Sequence, residues 1–211
     1  MNMDLNHYIT ARLLQADLIS ADSHFSKIGI INASGIAYLK NAFLVLANLI
    51  DFEHSIRLMY KEYPTLSSLF SENQKNYEFA KYLRNKFVGH VHPKLIEKAI
   101  EWHPELRCIA TRMDDPKVML VVNVSLLETA INTYVDEQGR HKIFDSETDL
   151  MYPPDFKRFV DFMEVSIRSA IQYLSELCVI LNMQLDRLEQ YSVSIEHIMR
   201  AAETEFGFIK K

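Results

Sequence analysis

The sequence predicts a mainly α protein, an up-and-down helical bundle that carries a small β-hairpin insertion. Two observations favour helices: Gly and Pro number only 5 and 6 in 211 residues, and apolar residues recur every three or four positions over long stretches. A third observation favours the insertion, because residues 106–146 are rich in β-branched residues and turn sequences. The length fits a single domain over residues 1–211 that buries a full core.

Three main helices are predicted in the first half of the chain. The first runs from Asp4 to about Ser26, and the stripe that should face the core comprises Leu5, Ile9, Leu13, Ala16, Leu18 and Ile19. The second covers residues 36–60 and is apolar on most sides, which is typical of a buried helix. The third covers residues 72–91. It is expected to end there because Pro93 pushes the preceding residue, His92, out of the helical region. A short helix at 94–102 follows.

The segment 106–146 is predicted to form the β insertion. R-C-I-A-T-R-M and K-V-M-L-V-V-N-V flank a D-D-P turn, which predicts one hairpin. E-Q-G-R before H-K-I-F favours a second hairpin, although residues 125–139 are ambiguous between helix and strand. A long helix is then predicted over residues 156–190 with Asp155 as its cap, followed by a short one at 193–205.

The composition predicts a soluble, cytoplasmic protein. Cys108 and Cys178 are too few for a disulfide framework and are expected to be reduced thiols. The first residues lack the pattern of a secretory leader. No uninterrupted apolar run approaches the ~20 residues that span a bilayer, so no membrane partner is expected. A net charge of -5 argues against broad, non-specific binding of nucleic acid.

Charge and chemistry are concentrated in one stretch of this acidic protein. Residues 75–98 carry a charge of +4, against -9 for the remainder. Within them, K-Y-L-R-N-K-F-V-G-H-V-H-P brings Arg84, Asn85, His90 and His92 close together at the C-terminal end of the third helix. This stretch is therefore the best candidate for a functional site.

The string L-R-N-K-F-V-G-H, residues 83–90, resembles the motif of the HEPN superfamily. In that family an Arg, with a polar residue such as Asn beside it, precedes a His by four to six residues on the third main helix of a helical bundle. Five residues separate Arg84 from His90 in this chain. The resemblance covers the helical frame, implies a HEPN-like bundle there, and leaves the β insertion unexplained.

The resemblance implies a metal-independent endoribonuclease that needs no cofactor. An RNA 2′-hydroxyl would attack the adjacent phosphate, which requires an acid, a base and a cation for the growing charge. His90 would act as acid or base, Arg84 would clamp the phosphate, and Asn85 would hydrogen-bond the phosphate or orient its neighbours. Since one histidine cannot easily fill both roles, a homodimer would build a composite site from two motifs.

The expected partners follow from the same resemblance. Lys81, Lys86 and His92 would contact the RNA around the catalytic residues. The protein could act as a toxin or a phage-defence effector, with an antitoxin or another protein as a further partner. Geometry adds one condition: on an ideal helix, Arg84 and His90 lie roughly 120° apart, so the helix must loosen near Gly89 for the two to share a cleft.

Other interpretations of the same residues remain open. Arg84 and His90 could serve only as capping and salt-bridge residues at a helix end. His90 and His92 could bind a metal with His103. His54, late in the second helix, is expected to be a core or interface histidine. The alternative function is a catalytically inactive, dimeric interaction module that uses the β insertion and the last long helix.

Overall fold

The computed structural model describes residues 3–89, 92–185, 195–204 and 207. Within them the protein is mainly α, with eight α-helices and no β-strand. In chain order, the helices are α1 (Met3–Ile28), α2 (Ala33–Ile56), α3 (Pro64–Leu83), α4 (Pro93–Trp102), α5 (Leu106–Ile109), α6 (Pro116–Asn132), α7 (Pro153–Leu185) and α8 (Ile195–Ala202). Short 3-10 turns lie at Arg57–Lys61 and Ala110–Arg112.

Helix starts are encoded locally. Pro64, Pro93, Pro116 and Pro153 each begin a helix, at a position where the missing N–H costs no hydrogen bond. The start of α2 uses a side-chain cap instead, because Asn32 Oδ1 accepts a hydrogen bond of 2.8 Å from the N–H of Gly35. These signals fix the first turn of each of these helices.

The core is built around α2. This helix contacts α1, α3, α6 and α7, and it is long and apolar enough to pass as a membrane span by length and composition. Half of its most apolar window is buried by the other helices, as in the core helix of a soluble protein. Its fully buried residues include Leu39, Phe43, Leu46 and Leu49.

The α1 and α7 helices form an antiparallel pair. Gln15 donates to Ser175 Oγ at 2.7 Å, and Arg168 Nε lies 3.3 Å from Asp22 Oδ1. The two residue numbers of each pair add to the same value, as expected for two helices running past each other in opposite directions. The start of α1 therefore lies beside the end of α7.

The predicted β insertion is wrong within the described residues. Residues 106–132 form α5, a 3-10 turn and α6 instead of a hairpin. Asp115 caps α6 by accepting a hydrogen bond from the N–H of Lys117 at 2.9 Å, and Pro116 starts it. The prediction rested on the β propensity of the valines alone. In the structure the buried residues of this segment recur with helical spacing and face the interior, which outweighs that propensity. They are Val118, Val124, Leu127, Ala130 and Ile131.

The second predicted hairpin reduces to one isolated antiparallel bridge. Val135 pairs with His141, and Gly139 permits the turn between them with a φ of 77°. Both ring nitrogens of His141 are used internally: Nδ1 accepts from the N–H of Phe144 at 2.8 Å, and Nε2 lies 2.9 Å from the carbonyl oxygen of Ile131. This connection to α7 is therefore an irregular but hydrogen-bonded loop.

The orientation predicted for α1 is also wrong. The buried face of the helix carries Ala11, Leu14, Leu18 and Ala21, so of the predicted core stripe only Leu18 is buried. The other five residues of that stripe are exposed: Leu5, Ile9, Leu13, Ala16 and Ile19. Small residues at Ala11 and Ala21 let α1 lie close to its neighbours, a signal that apolar periodicity does not detect.

Candidate functional site

The helix loosens where the motif begins. The α3 helix ends at Leu83, and Arg84–Val88 continues it as a π-helical segment, called the π segment below. Its wider turn is closed by a hydrogen bond of 2.8 Å from the N–H of Gly89 to the carbonyl oxygen of Arg84. Such turns are rare in proteins, and those that do occur are frequently found at functional sites. Gly89 keeps a right-handed φ of -69°, so the loosening comes from the π turn and requires no left-handed glycine.

The π segment aligns Arg84 with Gly89. Residues five apart lie one above the other in a π turn, as residues four apart do in an α-helix. A Cβ atom placed on Gly89 would lie 3.6 Å from both Cζ and Nη1 of Arg84. The guanidinium group therefore extends along the backbone at the point where the chain leaves the helix.

Arg84 has few protein partners among the described residues. Its Nη1 donates to Asn85 Oδ1 at 3.0 Å, while its buried Nε has no hydrogen-bond partner there. No carboxylate in that part of the chain lies within ion-pair distance of it. The salt-bridge interpretation of Arg84 thus finds no support in the described residues, and the group keeps donors that a ligand can use.

The predicted RNA-binding residues have individual neighbours. Lys81 Nζ lies 2.7 Å from Asp51 Oδ1, and Lys86 Nζ lies 5.7 Å from the centre of the Tyr82 ring. His92 has an extended backbone, as predicted, and its Nδ1 accepts a hydrogen bond of 3.2 Å from the N–H of Lys94. His92 therefore caps α4, and its exposed ring faces solvent.

The π segment is held from beneath by residues distant in sequence. Phe87 is 1% exposed, and the ammonium of Lys40 lies 4.7 Å from its ring centre. Lys40 also donates to Asn123 Oδ1 at 2.7 Å, and burial lowers its pKa. Lys40 and Asn123 thus link α2 and α6 under the motif. A lone lysine inside an apolar helix was the only signal in the sequence that could have indicated this support.

The remaining predicted residues are not brought together in the described structure. His90 lies outside the described residues. His103 Nε2 lies 3.1 Å from Glu128 Oε1, and its Nδ1 lies 3.4 Å from Glu105 Oε1. No group of three potential metal-ligating side chains occurs in the described part of the chain. His54, expected in the core or an interface, is exposed on α2, so the core assignment is wrong.

A second concave region surrounds His103. A cavity of about 550 Å³ is lined by apolar side chains and by His103, Glu105, Glu128 and Asp149. The second oxygen of Glu128 accepts a hydrogen bond of 2.7 Å from the N–H of Leu150. Burial raises the pKa of Glu128, while this hydrogen bond and His103 oppose the rise. The sequence did not indicate this pairing, because the segment that forms α6 was read as part of a β insertion.

The described geometry at Lys81–Gly89 therefore provides an anchored guanidinium group beside an exposed amide and two lysines. Such a group can bind a phosphate through parallel N–H donors. Comparison of the chain with protein-family models, curated proteins and solved structures finds no match.

Proposed function

We propose that the protein is a HEPN-type, metal-independent endoribonuclease whose site is completed by a second copy of the chain. The observation that carries the proposal is the Arg84 side chain. It is half-buried, fixed by Asn85, and has no carboxylate partner among the described residues. An arginine held in place with donors to spare is suited to binding a phosphodiester.

The proposed reaction needs no group beyond the protein and the RNA. One His90 removes the proton from a 2′-hydroxyl, whose oxygen then attacks the adjacent phosphorus. The bond from phosphorus to the 5′-oxygen breaks, and that oxygen takes a proton from the His90 of the second copy. The products are a 2′,3′-cyclic phosphate and a free 5′-hydroxyl. Arg84 stabilises the charge that accumulates on the phosphate oxygens.

Neighbouring residues support binding of the substrate. Asn85 fixes one side of the Arg84 guanidinium, which reduces the entropy lost when the phosphate binds. Lys86 and the local charge of +4 attract the RNA backbone. Lys81 contributes less than the sequence suggests, because Asp51 neutralises it. His92 lies beside this surface and offers its exposed ring to a base or a phosphate.

A cytoplasmic toxin or antiviral effector is the biological setting that fits this activity. Unrestrained RNA cleavage would harm the cell that makes it, so an antitoxin or an activating partner is part of the proposal. Induced expression of the wild type should arrest growth, whereas Arg84→Ala should not. Equal toxicity of the two proteins would contradict this setting.

The activity itself is tested with the purified full chain and a mixture of end-labelled RNAs in EDTA. The wild type should give fragments that end in cyclic phosphate, and Arg84→Ala and His90→Ala should each remove that activity. Arg112→Ala is the matched control, since Arg112 is an exposed arginine paired with Asp115 at 3.7 Å away from the motif. Absence of cleavage by the wild type, or cleavage that survives both motif variants, refutes the proposal.

A catalytically inactive, dimeric interaction module is the second candidate. One of its motivations, the β insertion, is absent from the described residues, whereas the acidic residues outside the motif and the long α7 helix are still available to a partner. The observation that favours it is the row of exposed apolar residues along α1, which is a surface suited to another protein. The RNA assay separates the two functions, because an interaction module gives no cleavage products under any of these conditions.

A further inference from the structure

The α1 helix is apolar on two opposite faces. Its buried face carries Ala11 and Leu18, each fully buried. Around the helix axis, Ile9 lies about 160° to 180° from these residues, and Leu13 lies within about 40° of Ile9. Ile9 is 48% exposed and Leu13 is 63% exposed. The side of α1 that points away from the core therefore has apolar residues where a single chain would place polar ones.

These exposed residues form a regular stripe. Leu5, Ile9, Leu13 and Ala16 follow one another at intervals of four, four and three residues, and all are exposed. Intervals of three and four are the spacing by which helices pack along a shared seam. From Leu5 to Ala16 the stripe extends about 17 Å along the axis. The pattern is that of a helix that packs against a second helix.

Charges on the two sides of the stripe are complementary to each other. Measured from Ile9, Arg12 lies about 60° to one side and Asp17 about 80° to the other, and both are exposed. When two such helices lie parallel around a two-fold axis, each side of one stripe faces the opposite side of the other. Arg12 of each chain then reaches Asp17 of the other, because oppositely charged residues that flank a parallel seam pair in this way.

We propose that this face of α1, defined by Leu5, Ile9, Leu13 and Ala16, is an interface with a second copy of the chain, with the two α1 helices parallel. A copy of the same chain fits because the stripe is apolar along its length and its flanking charges are complementary to themselves. Arg12 Nη1 also donates to Gln15 Oε1 at 2.6 Å, and the remaining N–H groups of the guanidinium can serve the partner's Asp17.

The apolar face of α8 is a weaker candidate for covering the stripe. Its residues Ile195, Ile198 and Met199 are exposed. With eight residues, however, α8 is about 12 Å long and would leave part of the stripe uncovered. It also lacks the paired charges that flank α1 on both sides.

This interface is independent of the proposed function. The π segment packs against α2, α3 and α6, whereas α1 packs against α2 and α7, so the stripe and the motif are carried by different elements. If both surfaces form two-fold contacts and the two axes meet at right angles, the assembly is a closed tetramer. Loss of the α1 contact then halves the mass of the assembly, whether the wild type is such a tetramer or a dimer joined through α1 alone.

Sedimentation velocity of the full chain, over a series of concentrations, tests the interface without RNA. The wild type should contain at least two chains, and Leu13→Asp should raise the dissociation constant by at least about tenfold. Val165→Asp is the matched control, because Val165 is 51% exposed on α7. Circular dichroism should show unchanged helix content in each variant, since Leu13 contributes little to the core of one chain.

Exchange of the flanking charges gives a second, stricter readout. Arg12→Asp and Asp17→Arg should each weaken association, and the two together should restore it, because the ion pairs re-form in reverse. A wild-type protein that is monomeric at every concentration overturns the proposal. So does a Leu13→Asp variant of unchanged mass, or a charge exchange that does not restore association. Loss of mass in Met199→Asp but not in Leu13→Asp assigns the contact to α8 and also overturns it.

Discussion

Replacing Arg84 by lysine separates the proposed phosphate-binding role from a structural one. Arginine offers a phosphate two parallel N–H donors, whereas lysine offers one compact charge. A hydrogen bond to a charged group contributes about 1.5 to 3 kcal/mol. If one such bond is lost only in the transition state, Arg84→Lys slows cleavage by about 10- to 150-fold.

The same change should have little effect on folding. Arg84 makes one described side-chain hydrogen bond, to Asn85 at 3.0 Å, and its buried Nε has no partner among the described residues. Because this bond is exposed to solvent, its loss should lower the free energy of unfolding by only about 0.5 to 1.5 kcal/mol. A domain of ordinary stability stays folded after a loss of that size, so the predicted loss in rate would not come from unfolding.

The two quantities are measured on the same preparation. Single-turnover cleavage of a fluorogenic RNA in EDTA gives the rate, and urea unfolding gives the stability. Arg112→Lys, at an exposed arginine paired with Asp115, should change neither. An unchanged rate in Arg84→Lys refutes the reasoning. A stability loss well above the predicted range also refutes it, because Arg84 would then be a structural residue.

Three further predictions concern the fold. In Gly35→Ala the new Cβ lies 2.7 Å from the carbonyl oxygen of Gly29 and closer still to that of Ile30, so thermal unfolding should show a loss of about 1 to 3 kcal/mol despite the better helix propensity. Burial raises the pKa of Tyr77 from 10.0 to about 12. Between these two pH values the unfolded state has lost the phenol proton and the folded state still holds it. The free energy of unfolding of the wild type should therefore fall there by about 1.4 kcal/mol per pH unit relative to that of Tyr77→Phe, as measured by denaturant unfolding. Burial also raises the pKa of Glu128, so Glu128→Gln should gain stability relative to the wild type as the pH rises from 4 to 7, and denaturant unfolding at both pH values checks this.

The long helices with a clear apolar period were predicted close to where they lie. The sequence predicted helices at 36–60, 94–102 and 156–190, and the structure has α2, α4 and α7 there. The third helix was predicted at 72–91, but α3 begins eight residues earlier, at Pro64. Their boundaries depend on residues within one turn of the helix end, and such local chemistry is visible in the sequence. The prediction that the backbone of His92 is extended because Pro93 follows it is confirmed.

The segment that forms α6 was not predicted, because tertiary packing decides its structure. Its run of valines favours a strand by intrinsic propensity, and the difference in propensity between helix and strand is small for each residue. Burial of Val124, Leu127 and Ile131 against the other helices outweighs it. The orientation of α1 was missed for the opposite reason: if the proposed interface is correct, its most regular apolar stripe serves a contact that one chain does not contain.

At the candidate site, the contacts within one turn could be predicted and the long-range ones could not. The hydrogen bond from Arg84 to Asn85 joins adjacent residues, whereas Lys40 reaches Phe87 and Asn123 from another part of the chain. Sequence spacing alone cannot show that these residues support the motif.

The π segment changes the geometric objection to the motif. On an ideal α-helix, six positions leave a separation of about 120° between two residues. That calculation assumes a regular helix through Gly89, and the described structure has a π turn from Arg84 to Val88. The wider turn brings Gly89 into line with Arg84. The angle calculated for an ideal helix is therefore no argument against the motif, and the His90→Ala variant tests whether His90 belongs to the site.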